Sequence, residues 1–190
     1  LNEIYNSKKL RKPDQILNEL NRLIDLTLTS KEGSTMKDGM DMALVVVDKQ
    51  QNKIYYAGAN NPLWLIRKTA LLTANELNQK STMAHNDYSL LEIKATKQPI
   101  GRYFGNPIPF ELNEIDLLPG DGFFIFSDGY ADQFGGPKGK KYKYKTFKKL
   151  LLQHFDLTMS DQKDVILQEF NTWKGDLEQI DDVCIIGVKV

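Results

Sequence analysis

Apolar residues recur at three- and four-residue intervals along Ile16, Leu17, Leu20, Leu23, Ile24 and Leu28, the spacing of one face of an amphipathic helix over 13–29. Pro13 suits the first turn of that helix, where its missing N–H leaves no bond unmade. The residues before it read as a short helical tail, and 31–39, rich in Gly, Ser, Thr and charge, as a loop. Then the period shortens. Runs 42–48 and 53–57 flank Gln50-Gln51-Asn52 and predict an antiparallel hairpin, with a third strand over 63–67. The pattern fades over 69–87, an irregular excursion. It returns as strands at 90–94, 110–117 and 123–126, the last two joined by a turn at Pro119-Gly120-Asp121. Two helices follow, 145–154 with Phe147, Leu150 and Leu151 on its apolar face and 161–174 with Val165, Ile166 and Phe170, before a closing strand over 183–190. Strands grouped in one part of the chain and helices in another predict an α+β protein rather than an alternating parallel sheet. No repeat or long linker divides it, so a single domain over 1–190 is expected.

Lysine plus arginine number 25 and aspartate plus glutamate 25, so no net charge steers the chain toward nucleic acid or an anionic membrane. The longest apolar runs, such as 43–47 and 123–126, are too short to span a bilayer. A soluble, cytoplasmic domain without membrane contact is expected. Its one cysteine, Cys184, sits in the closing apolar run, where a buried, inert thiol is expected and a reducing compartment fits. His85 and His154 stand apart from any Cys/His cluster at ligand spacing, so no zinc site is predicted.

Two acidic motifs carry the candidate chemistry. Asp128-Gly129 follows the apolar run Phe123-Phe124-Ile125-Phe126, and Asp181-Asp182 precedes Val183-Cys184-Ile185-Ile186. A carboxylate at the end of a strand built for burial is costly unless a cation or a hydrogen-bond donor compensates it. Hard divalent ions such as Mg²⁺ and Mn²⁺ take a few such oxygens from separate strand ends and complete their shell with water and substrate phosphate. Taken singly, Asp128-Gly129 reads more readily as an ordinary turn, and Asp181 as a solvated acid at a helix or strand end, than as a metal ligand.

The wording around the motifs is more specific. From Pro119-Gly120-Asp121 through the apolar strand to Ser127-Asp128-Gly129 and Phe134-Gly135, the chain resembles the "PGD, apolar strand, (S/T)DG, FG" segment of the SpoIIE/RsbU branch of the PPM (PP2C-like) protein serine/threonine phosphatases. Ala57-Gly58-Ala59-Asn60-Asn61-Pro62-Leu63 resembles that branch's AGHNPPL hairpin, Pro99-Ile100-Gly101 its PLG, and Asp181-Asp182-Val183 the DD.T that opens its last strand. The resemblance covers essentially the whole chain. It implies a PP2C-like β-sandwich of mainly antiparallel strands flanked by helices. The family's GD(F/Y) and GHG motifs, carried by its first strands, do not occur in this sequence, which opens as if within a helix. An N-terminally truncated piece of a longer parent is therefore expected.

In the family, two ions, Mn²⁺ or Mg²⁺, lower the pKa of a water that attacks phosphoserine or phosphothreonine. The resemblance assigns Asp128 and Asp181 as metal aspartates and Gly129 as the glycine that avoids crowding the ions. Asp182 stands where many relatives have asparagine, as ligand or loop cap. Asp38 corresponds approximately to an acid that some relatives use for a weakly held third metal; Asp41 has no assigned part. Asn60 and Asn61 replace a His-Asn pair and are expected to hold their turn through side-chain to backbone bonds. Seven lysines and no acids lie between Lys138 and Lys149. That run reads as a solvated loop, or as a flap where Lys138, Lys140 and Lys141 meet substrate. The implied partners are a phosphoprotein such as an anti-sigma-factor antagonist and an upstream sensor domain, which could anchor the parent to a membrane; nucleic acid is not among them. With half the metal motifs missing, the site is expected to be partial or empty and the piece inactive, and uncovered strand edges predict a homodimer. A non-catalytic regulatory or dimerisation module on the same fold is the alternative.

Overall fold

The computed structural model describes residues 1–29, 39–78, 82–101, 103 and 105–190. It is a mixed α+β architecture with antiparallel sheets, and it divides into two compact units, Leu1–Leu63 with Ile93–Leu117 and Trp64–Glu92 with Leu118–Val190. Among the described residues, no helix is long and apolar enough to cross a membrane.

In the first unit the amphipathic helix forms as Pro13–Thr29, after a short helix Asn2–Ser7. Its Leu17 is fully buried and packs with Ala57, Ala59, Ile100 and Phe110. The hairpin of Met42–Asp48 and Lys53–Ala59 pairs Val45 with Tyr56. Asp48 turns it, its carboxylate accepting the Gln50 and Gln51 amides at 2.9 and 3.0 Å, and Asn52 takes the left-handed conformation at φ 50° that Asn tolerates. The third strand of this sheet is Asn113–Asp116, with Ile115 opposite Ile54, and not 63–67. The predicted 110–117 strand shortens to it because Phe110 is buried and gives its amide to Asn18 Oδ1 at 3.0 Å instead of to a ladder.

The second unit carries a five-stranded sheet in the order Ile185–Lys189, Gly122–Phe126, Leu63–Lys68, Tyr88–Ile93, Met83–His85. Leu63–Lys68 is buried continuously from Leu63 to Arg67, as befits its central place. The excursion over 69–87 is more regular than its sequence pattern. It holds a helix Ala74–Leu77 with a Thr73/Glu76 capping box and the strand Met83–His85. Helices Tyr144–Gln153 and Met159–Lys174 contribute Phe147, Leu151 and Phe170 to an aromatic core with Trp64, Phe124 and Phe126, the Trp64 and Phe126 rings lying 4.2 Å apart. The Pro119-Gly120-Asp121 turn, with Gly120 at φ 87°, is tied into this core. Asp121, 1% exposed, accepts Arg67 Nη2 at 2.7 Å and the Leu118 amide at 2.8 Å.

Candidate metal centre

Gly122–Phe126 and Ile185–Lys189 are antiparallel neighbours with Phe126 opposite Ile185, so the two acidic motifs leave adjacent strands at the same end. One further backbone bond, Ser127 N to Cys184 O at 2.9 Å, extends the ladder. Asp128 then takes helical angles as the cap of the short helix Gly129–Asp132, and the strands part. Side chains close the gap. Ser127 Oγ donates to the Asp182 carbonyl at 2.7 Å and accepts the Cys184 amide at 2.9 Å. Gln133, fully buried, donates from Nε2 to the Glu178 carbonyl at 2.9 Å. Within the second motif, Asp181 Oδ1 accepts the Asp182 amide at 2.7 Å.

Gly129 serves this junction. A Cβ on it would lie 2.5 Å from the Asp182 carbonyl oxygen, a backbone atom that no rotamer change moves away. The glycine thus lets the two motif backbones touch, and the tight turn expected there is the first turn of a helix, whose Gly129 carbonyl accepts the Gln133 amide at 3.1 Å. Gly129→Ala should therefore cost about 1–3 kcal/mol, the usual penalty of overpacking. Urea denaturation checks this, and a midpoint equal to wild type would contradict the contact.

Asp128 is half-buried, whereas Asp181 and Asp182 are exposed. The cost of a buried charge, which the sequence pattern invokes at the second motif, does not operate there. The closing strand begins at Ile185, leaving the acids in a loop beside a polar hollow of about 310 Å³ lined by Gln179, Ile180, Asp181 and Asp182. For the same reason Cys184 is exposed rather than buried. Tyr130 fastens the short helix to the core: it is 1% exposed, stacks on Phe147 at 4.4 Å and donates to the Ile166 carbonyl at 3.0 Å. Burial, and then the neighbouring Tyr142, raise its phenol pKa and keep it neutral.

The acidic residues that leave this strand end carry carboxylate oxygens, the donor type that hard divalent ions take. Among the described residues no three acidic, His or Cys side chains form a group that could hold a metal ion. Asp38 lies outside the described residues. Asp41 accepts Asn60 Nδ2 at 2.8 Å: Asn60, at φ 59°, bonds a carboxylate rather than the backbone expected of it. The start of the lysine run is not a plain loop but a hairpin, Phe134–Gly135 pairing with Lys140–Lys141, turned by Gly136 and Gly139 at positive φ. Lys141 reaches Asp132 at 2.8 Å, while Lys138 and Lys140 are exposed.

The family model of Stage II sporulation protein E (SpoIIE) matches residues 3–190. The chain belongs to the SpoIIE family. Among solved structures, the SiaA-PP2C domain of Pseudomonas aeruginosa is similar to this SpoIIE domain with a TM-score of 0.75 at 22% identity, over 98% of this chain and 64% of that one. The phosphatase domain of the cell fate determinant SpoIIE from Bacillus subtilis, presoaked with Mn, has a TM-score of 0.51 at 15% identity, over 95% and 73%. The RsbU and RsbW domains of a Mycobacterium tuberculosis protein give 0.57 at 15% identity, over 97% and 43%. The SpoIIE domain described here thus spans less than two-thirds of the SiaA domain's length. No curated protein matches it. The fold is that of the PP2C-like phosphatases, as the sequence resemblance implies.

Proposed function

We propose that this SpoIIE domain is the metal-dependent serine/threonine phosphatase module of a bacterial signalling protein, with Asp128 and Asp181 holding Mn²⁺ or Mg²⁺ and Asp182 a lesser contributor. The observation that carries this reading is the joining of the two acidic motifs at one strand end, with Gly129 against the Asp182 backbone. A divalent ion bound there supplies Lewis-acid activation of water and stabilises charge in phosphomonoester hydrolysis. The chain's own part is to present carboxylates from two segments that hydrogen bonds hold in register. The substrate is a phosphoprotein of the anti-sigma-factor-antagonist kind, and control comes from a sensor domain upstream. Support for that setting comes from the mycobacterial relative, in which RsbU and RsbW domains occur together.

Phosphate release from a phosphoserine peptide by the full gene product tests the reading. Release that requires Mn²⁺ or Mg²⁺ and stops with EDTA is expected, and no release with either ion would contradict it. Exposed Lys138 and Lys140 favour an anionic phosphoprotein by steering. Lys141, engaged by Asp132, fastens the hairpin. Lys138→Glu with Lys140→Glu should raise KM for a phosphoprotein roughly three- to tenfold while leaving p-nitrophenyl phosphate turnover unchanged, since steering acts on a charged macromolecular partner. An unaltered phosphoprotein KM would remove the hairpin from substrate recognition.

A further inference from the structure

We infer that Ser127 is the positioning residue that sets where Asp181 and Asp182 stand relative to Asp128. This rests on the phosphatase reading above. The last backbone bond of the ladder between the two strands is Ser127 N to Cys184 O, after which Asp128 turns into a helix. Beyond that point the second motif is a loop. Ser127 Oγ takes over the ladder's work from a single atom, donating to the Asp182 carbonyl at 2.7 Å and accepting the Cys184 amide at 2.9 Å. Only a hydroxyl gives and takes in this way at so short a reach.

The bonds continue to the carboxylate itself. Asp182, whose carbonyl Ser127 holds, donates its amide to Asp181 Oδ1 at 2.7 Å. A path of hydrogen bonds thus runs from Ser127 through the Asp182 backbone to Asp181, and Ser127 is the covalent neighbour of Asp128. Removing the hydroxyl leaves the Cys184 amide without its acceptor and the Asp182 carbonyl without its donor. The loop then loses its register to Asp128, although no metal-facing carboxylate has been altered. Groups one step removed from a metal ligand typically govern affinity by about 10–100-fold.

The pair Ser127→Thr and Ser127→Val isolates the hydroxyl, because the two side chains differ only by hydroxyl for methyl. Mn²⁺ binding by the full gene product, read from loss of the free-ion electron paramagnetic resonance signal, should be near wild type for Ser127→Thr. For Ser127→Val it should be at least about tenfold weaker. Turnover of Ser127→Val should recover at saturating Mn²⁺, with a raised half-saturating concentration, a split that mere loss of stability would not give. Equal Mn²⁺ affinity of the two variants overturns the inference alone. No Mn²⁺ binding by wild type overturns it together with the phosphatase reading. A measurement on wild type needs no variant to fold: Mn²⁺ should slow hydrogen exchange of the Cys184 amide, and unchanged exchange on binding overturns the inference.

Discussion

In the full gene product, Asp128→Asn should leave the protein folded and remove nearly all phosphatase turnover, at least about a hundredfold. Perturbing a group one step beyond a metal ligand already costs 10–100-fold, and an amide keeps the volume of the ligand while losing its charge. Folding should survive because Asp128 lies where the strand passes into the helix Gly129–Asp132 and is only half-buried, with the packing carried by its neighbours Phe126 and Tyr130. Asp181→Asn should act in the same direction. Asp182→Asn should be mild, since the backbone of Asp182, and not its exposed side chain, takes the bond from Ser127. Steady-state turnover at saturating Mn²⁺ checks all three, and near wild-type activity in Asp128→Asn would remove that residue from the site.

Asp121→Ala should be the most destabilising single change, by about 3–5 kcal/mol, the cost of breaking a buried ion pair by removing one member. Arg67 donates to Asp121 from Nε at 3.1 Å and from Nη2 at 2.7 Å, and both side chains are buried, the carboxylate almost completely. Glu76 stands 3.8 Å from Arg67 Nη1 and is partly open to solvent, a poor replacement. The loss is one-sided: the buried guanidinium loses its Asp121 carboxylate, so replacing both residues with apolar ones of similar volume should cost less than Asp121→Ala alone. Urea denaturation of the single and double variants measures both quantities. A single-variant loss under about 1 kcal/mol, the range of an exposed ion pair, would show that water reaches the pair.

The elements legible in the sequence are those whose pattern is local and repeated. The stripe from Ile16 to Leu28 marks the Pro13–Thr29 helix, and the runs around Gln50-Gln51-Asn52 mark the first hairpin. Leu63–Lys68 is recognised as a strand but not in its sheet, because continuous burial says that a strand is central without saying which neighbours flank it. Met83–His85 is too short to show a period, although the Thr73-Ala74-Asn75-Glu76 signature of a capped helix was there to be read. At the site, motif wording singles out Asp128 and Asp181, yet the atoms that join their segments come from Ser127 and Gln133. Their bonds span 55 and 45 residues of chain, a separation at which no spacing rule operates. Asp121 has the look of an ordinary turn residue, and its partner Arg67 lies 54 residues away.

Titration of Mn²⁺ into the isotopically labelled protein, followed by paramagnetic broadening of assigned backbone amides, tests most directly whether these two motifs form a metal centre. Substoichiometric Mn²⁺ should broaden residues 127–132 and 180–184 first and together, since both segments face the same ion. Broadening of only one segment, or broadening centred elsewhere in the chain, would contradict a shared site at Asp128 and Asp181.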